Sequence, residues 1–218
     1  MLRSLWTAAT GMIAQQTNVD TIANNLSNVN TTGYKAEVAE FKTLLYQNMQ
    51  TKTTSANGAN KPIGAQVGLG VRNSSITSIF RQGSFLESSS TSAFAINGKG
   101  FFAVQGEDGQ TYYTRNGNFN WSLGTNGLTL TTSDGLPVLD STGKAIVLNG
   151  NYMSSSITIS SDGTICYPDA SNNMQSLGIT IGLYQFQNPA GLTKMDSSLF
   201  AVSDASGAAI NEARATNI

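Results

Sequence analysis

MLRSLWTAATGMIAQQTNVDTIANNLSNVNTTGYK, Met1 to Lys35, is the most regular stretch of the chain, and its reading decides how the remainder is organised. Leu2, Leu5, Ala9, Met12, Gln16, Val19, Ala23 and Leu26 succeed one another at alternating steps of three and four. That is the apolar seam of a coiled-coil helix, with only Gln16 polar. Trp6, Ile13, Ile22 and Val29 widen one flank, while Arg3, Thr10, Thr17 and Asn24 fall on a different strip. The pattern predicts a helix from Leu2 to Ser27, roughly 40 Å long at ~1.5 Å per residue. Asn24, Asn25, Asn28 and Asn30 crowd its end, and Gly33 supplies the left-handed residue at which helices commonly stop. The exit is read as a built bend.

An amphipathic stripe ordinarily packs on its own domain. No second helix of comparable length occurs within these 218 residues, so the seam needs a β surface, another molecule or a further segment. Gly11 and the Thr and Asn residues weaken intrinsic helicity. The stretch is therefore expected to be poorly helical in the dilute monomer and to gain helix against a partner.

The remainder reads as β, giving a fold class of mainly β with an N-terminal α-helix. In AEVAEFKTLLYQNMQ, Ala36 to Gln50, the residues Val38, Phe41, Leu45 and Met49 recur at helical spacing and predict a short helix or a helix-to-extended transition. Thr51 to Gln66 carries no large apolar residue except Ile63 and reads as a polar loop or long hairpin. From Phe94 onward, Asn97-Gly98, Asp108-Gly109, Asn116-Gly117, Asn126-Gly127, Asp134-Gly135, Asn149-Gly150 and Asp162-Gly163 suit tight hairpins. Between them lie strand-like runs: 101–105, 111–115, 128–132, 137–139, 145–148, 156–160, 164–167 and 179–186. The expected core comprises Phe101, Tyr113, Phe119, Leu130, Ile146, Ile159, Ile181 and Leu183. The resulting division is 1–34 for the helix and bend, 35–92 for a connecting segment with the polar loop 51–66, 93–204 for an all-β domain and 205–218 for a tail.

Composition removes several functions. Charged residues make up 11% of the chain and the formal net charge is −1, which provides no basic field for nucleic acid and no polybasic patch for a membrane. No run approaches the ~20 apolar residues of a spanning helix, and the N-terminal apolar residues are dispersed around a helix instead of forming the contiguous core of a cleavable signal. There is no histidine, the commonest general base and metal ligand, and Cys166 is the only cysteine. Gly98 to Ala103 matches the dinucleotide pattern G-x-G-x-x-[GA] formally, but it leads into an apolar strand where that site needs a helix N-terminus. Glu107, Asp108, Asp134, Asp140 and Asp162 sit mostly in turn dipeptides, where Asp serves backbone geometry. The reading is a non-enzyme without cofactor or metal.

ANNLSNVNTTGYK (Ala23 to Lys35) resembles the asparagine-rich signature at the start of bacterial flagellar rod and hook proteins, and AATGMIAQQ (Ala8 to Gln16) fits the same family ahead of it. AINGKGFFAV (Ala95 to Val104) and YTRNGNF (Tyr113 to Phe119) extend the resemblance in the same order. It implies an axial structural subunit of the flagellar basal body that polymerises into a helical tube, contacts other rod and hook proteins and transmits torque. The resemblance further implies export through the flagellar type III channel, a C-terminal amphipathic helix beyond residue 218 that pairs with the N-terminal one, and, for distal-rod members, contact with ring proteins of the envelope. The segment 51–66 resembles the insertion that distinguishes distal-rod members of the family. Leu2, Leu5, Met12, Val19 and Leu26 are then the expected assembly seam, with Asn24, Asn25 and Asn28 at the bend. A proximal-rod or hook-type paralogue is the nearer alternative; a cell-surface carbohydrate-binding or carbohydrate-degrading β domain is the distant one.

Overall fold

The computed structural model describes residues 2–50, 64–124, 127–149, 152–169, 173–196 and 198–212. One long helix, α1 (Leu2–Ser27), precedes a succession of strands, so the chain is mainly β with an N-terminal helix as its sequence predicts. The chain divides into two compact units, Met1–Asn30 with Lys35–Ile79, and Thr31–Tyr34 with Phe80–Ile218.

In the first unit, β1 (Glu37–Thr43) and β2 (Tyr46–Gln50) run out, and β3 (Ala65–Gly68) and β4 (Val71–Ser78) return. β1 pairs antiparallel with β4 from Glu37↔Ser78 to Thr43↔Val71, and β2 pairs with β3 from Tyr46↔Gly68. The two pairs are tied by Leu44 N–H to Gly70 C=O at 2.9 Å and Leu69 N–H to Leu45 C=O at 3.3 Å. The helical spacing expected over Ala36 to Gln50 is thus overturned. Its four apolar residues stand on or beside strands whose ladder partners are distant in the sequence, outside any local window, and the ladder hydrogen bonds decide the conformation. Ala65 and Gln66 belong to β3, in keeping with the long-hairpin reading of this stretch; residues 51–63 lie outside the described residues.

The helix is formed and docked within this unit, on β1 and β4. The seam pattern predicts helix only against a partner along that seam. The structure instead holds α1 by a stripe that the apolar pattern does not mark.

The second unit contains β5 (Phe101–Gln105), β6 (Thr111–Thr114), β7 (Asn120–Gly124), β8 (Gly127–Thr131), β9 (Val147–Leu148), β10 (Thr158–Ile159), β11 (Thr164–Pro168), β12 (Met174–Thr180), β13 (Leu183–Gln185), β14 (Thr193–Lys194), β15 (Leu199–Ala201) and β16 (Ile210–Asn211). Six strands form one sheet in the order β14-β15-β6-β5-β13-β16, and β7-β8-β9 and β10-β11-β12 form two smaller ones. The central strand β5 explains the arrangement. Its side chains alternate between faces, so Phe102 and Val104 enter one core with Phe119, Leu130, Ile146, Ile165 and Ile181, while Phe101 and Ala103 enter another with Tyr113, Leu139, Phe186 and Phe200. Phe101 meets the rings of Phe80, Phe186 and Phe200 edge-on at 5.5–5.7 Å between centroids, and Phe102 meets Phe119 at 5.1 Å, within the favourable range for aromatic pairs.

Of the expected core residues, Phe101, Tyr113, Phe119, Leu130, Ile146 and Ile181 are buried, and Ile159 and Leu183 are half-buried against the first cluster. The single strand expected over residues 179–186 is broken. Ile181 donates to Gly163 C=O and Gly182 to Leu139 C=O, so the backbone changes partner between β12 and β13.

Candidate functional site

Two stripes run along α1, and the structure separates the docked face from the large residues of the seam. The side turned to β1 and β4 is built from Thr7, Gly11, Ala14, Asn18, Thr21, Asn25 and Asn28, all buried or half-buried. These too are spaced four, three, four, three, which is why they form one continuous face. They are small or polar, and Ala14 and Thr21 are buried. Thr7, Thr10, Thr17 and Thr21 bond backward to carbonyls one turn earlier, which at Thr10 and Thr21 satisfies hydroxyls that are partly buried.

The seam residues Leu2, Leu5, Met12, Val19 and Leu26 all face away, with exposures from 61% at Val19 to 77% at Leu2. Trp6, Ile13, Ile22 and Val29 are exposed beside them. A large apolar side chain gains about 1.5–3 kcal/mol on full burial. So many on one element make a patch well beyond the scattered apolar residues normal on a monomer surface.

The three bend asparagines hold the end of the helix. Asn28 N–H donates to Asn24 C=O at 3.2 Å, and its carboxamide donates to the same carbonyl and to Asn24 Oδ1, each at 3.0 Å, closing the last turn. Asn25 Nδ2 donates to Glu37 C=O and Glu37 N–H donates to Asn25 Oδ1, both at 2.8 Å. Asn24 Nδ2 reaches the Glu37 carboxylate at 3.4 Å. Farther on, Gly33 has φ +78°, and a Cβ there would press on the Asn116 backbone; only glycine meets both demands.

At the other end of the helix, Arg3 donates to Gln47 Oε1 at 2.6 Å, tying the first turn to β2. The β2–β3 ribbon carries Tyr46, Met49 and Val67 exposed, with Leu45 just before it. A two-stranded ribbon is marginal by itself, so this is a second surface that gains from being covered.

No catalytic arrangement emerges from the carboxylates. Asp108 accepts from Gln110 N–H and from the Tyr112 hydroxyl at 2.9 Å, which raises the Tyr112 phenol above its ordinary pKa. Asp140 accepts from the N–H groups of Thr142 and Lys144 and from the Thr142 hydroxyl. Both organise turns. The G-x-G-x-x-A match runs into β5, whose residues Phe101 to Val104 are buried. Among the described residues, no group of three or more His, Cys, Asp or Glu is placed to hold a metal, and no helix is long and apolar enough to cross a membrane. Arg115 is half-buried, donates to Gly98 C=O and lies 5.8 Å from the Phe101 ring centroid; burial lowers its pKa. It clamps the turn before β5.

What the apolar pattern misses is the docking stripe. Its signal is present as a second series at heptad spacing, composed of Thr, Gly, Ala and Asn, which a search for large apolar residues passes over.

The family described as flagella basal body rod protein matches residues 5–35, and the family described as flagellar hook protein FlgE/F/G D1 domain matches residues 95–167. The chain is 43% identical over 209 residues to the flagellar basal-body rod protein FlgG of Borreliella burgdorferi, covering 95% of this chain and 76% of that protein. It is 40% identical over 213 residues to the FlgG of Agrobacterium fabrum, covering 96% and 77%. It is also similar to the flagellar hook protein FlgE of Helicobacter mustelae, at 40% over 136 residues, 58% of this chain and 29% of that one.

Proposed function

The chain belongs to the flagellar basal-body rod protein family, the FlgG group, and on that footing we propose how it does its work. It is a structural subunit of the bacterial flagellar basal-body rod, assembling with other rod and hook components. Beyond this, our reading is that copies polymerise into a helical tube, with α1 seams meeting helices of neighbouring subunits. Its work is mechanical and needs no catalytic group.

The observation that carries this reading is the separation of stripes on α1. The helix is already held by its small, polar face, so the exposed seam is surplus to the fold of the subunit. Burial of the seam on assembly supplies the driving force that a chain with few charges cannot obtain from ion pairs. The bend at Asn24, Asn25 and Asn28 fixes the direction in which the chain leaves the helix, and hence the angle between the seam and β1.

Placement in the distal rod is supported by the sequence between β2 and β3, which resembles the insertion of distal-rod members, and by the exposed apolar residues of the ribbon that bears it. Delivery through the flagellar type III channel and contact with envelope ring proteins belong to the same reading, on the resemblance. Imaging isolated basal bodies that carry an epitope-tagged copy tests it. Label along the distal rod is expected; label confined to the hook or the proximal rod would assign the chain to a paralogue, and motility unaffected by deletion of the gene would contradict an axial role.

A further inference from the structure

The Asn-Gly dipeptides that suit hairpin turns also carry a chemistry that the structural role does not use. A following glycine leaves the backbone nitrogen unhindered, so it can attack the asparagine side chain. Two of these dipeptides are fully described, and their surroundings differ. Asn97 and Gly98 are both exposed, in a bend just before β5. Arg115 holds the Gly98 C=O, but among the described residues neither of the two groups that must react, the Asn97 carboxamide and the Gly98 N–H, makes a hydrogen bond, and a Cβ at residue 98 would meet nothing within 4 Å. Asn116 is half-buried, and its Oδ1 is held by Asn118 N–H at 3.1 Å. Gly117 is buried, its C=O accepts from Phe94 N–H at 2.9 Å, and a Cβ there would collide with the Phe94 carbonyl.

We propose that Asn97 is a site of spontaneous deamidation in the folded protein, and that the fold protects Asn116. The Gly98 nitrogen attacks Asn97 Cγ and gives up its proton to water; the new C–N bond forms as the side-chain amine leaves, taking a proton, as ammonia. The resulting succinimide is opened by one water molecule at either carbonyl, yielding aspartate or isoaspartate. No oxidant or enzyme is required. The product places a carboxylate in a cleft of about 730 Å³ that Asn97 shares with Lys99, Asp162 and Glu212. One cation facing two anions becomes one facing three, and the isoaspartate form adds a carbon to the backbone at the entrance to β5.

The pattern depends on structure, because Asn97-Gly98 and Asn116-Gly117 are the same dipeptide and differ in what holds them. A hydrogen bond of ordinary strength that must be broken to reach the cyclisation geometry slows a step by about fivefold, and burial of Gly117 adds to this by excluding the water that takes its proton.

Peptide mapping by mass spectrometry of the full chain, aged in mildly alkaline buffer, tests the proposal, with detection of isoaspartate as second readout. Conversion at residue 97 is expected to exceed that at residue 116 by about fivefold or more, and the difference is expected to vanish in denaturant. Asn97→Gln should remove the signal at that position while leaving the fold unchanged by circular dichroism. Equal rates at the two positions in the folded chain, or slower conversion at residue 97 than at residue 116, would overturn it.

Discussion

The Asn25 side chain pairs with the backbone of Glu37 by two hydrogen bonds of 2.8 Å, one donated by Nδ2 and one accepted by Oδ1. A carboxamide so placed imitates a neighbouring strand and satisfies the first residue of β1 from the last turn of α1. The end of the helix is tied to β1 by a carboxamide, the side-chain group of Asn and Gln that can both donate and accept in this geometry. Asn25→Ala leaves a half-buried N–H and C=O at Glu37 without this partner, at a cost of about 1–3 kcal/mol. Amide hydrogen exchange at Glu37 and along the end of α1 is expected to speed accordingly, while protection in β5 and β6 stays unchanged. Unaltered exchange at Glu37 would show that the pair does not hold the bend.

Gly70 sits under Thr10. It has φ +115°, and a Cβ there would collide with the Thr10 hydroxyl, which also accepts from Val71 N–H at 3.4 Å. Gly70→Ala is therefore expected to lift α1 from β4, with loss of helical circular dichroism and no effect on the aromatic core. Thr10→Ala in the same chain should restore part of the helix signal by removing the collision but not the strained φ.

Phe119 and Leu130 are 1% and 0% exposed in the cluster that β5 shares with the smaller sheets. Phe119→Ala should cost about 3–5 kcal/mol and Leu130→Ala about 2–5 kcal/mol. Urea unfolding followed by tyrosine and tryptophan fluorescence measures both. Phe41→Ala, at a site 37% exposed in β1, should cost far less.

Asp140 provides the pH dependence. Burial by itself would raise its pKa, but the N–H of Lys144, the hydroxyl and N–H of Thr142 and the N–H of Gly143 outweigh it and hold the pKa below the ordinary carboxylate value. A depressed folded pKa contributes stability that is present above the unfolded value and is lost as pH falls through the folded one. Nuclear magnetic resonance titration should place the Asp140 midpoint below ~3.9, the value of a free Asp side chain. Asp140→Asn should remove this contribution to the acid limb of the stability curve.

The seam of α1, its end near Ser27, the left-handed Gly33 and most strands of the β unit are legible in the sequence because they rest on local rules: heptad spacing, turn dipeptides and alternation. β1 and β2 are not, since the four apolar residues from Val38 to Met49 imitate a helix when the returning strands are out of view. The docking stripe of Thr7, Gly11, Ala14 and Thr21 escapes for a different reason. Small residues gain little from leaving water, so hydropathy does not register their pattern.

Whether the seam joins subunits is decided by replacing seam residues without touching the docking stripe. Leu5→Gln, Met12→Gln and Val19→Gln change side chains that are 65%, 68% and 61% exposed, none on the docked face. Cells carrying the triple variant are to be scored for rod completion by electron microscopy of basal bodies, alongside circular dichroism of the purified chain. A chain with the parent's helix signal and unfolding midpoint is expected, together with basal bodies whose rods are not completed. Normal rods and normal swimming from that variant, with the substitutions confirmed, would show that the seam does not join the subunits.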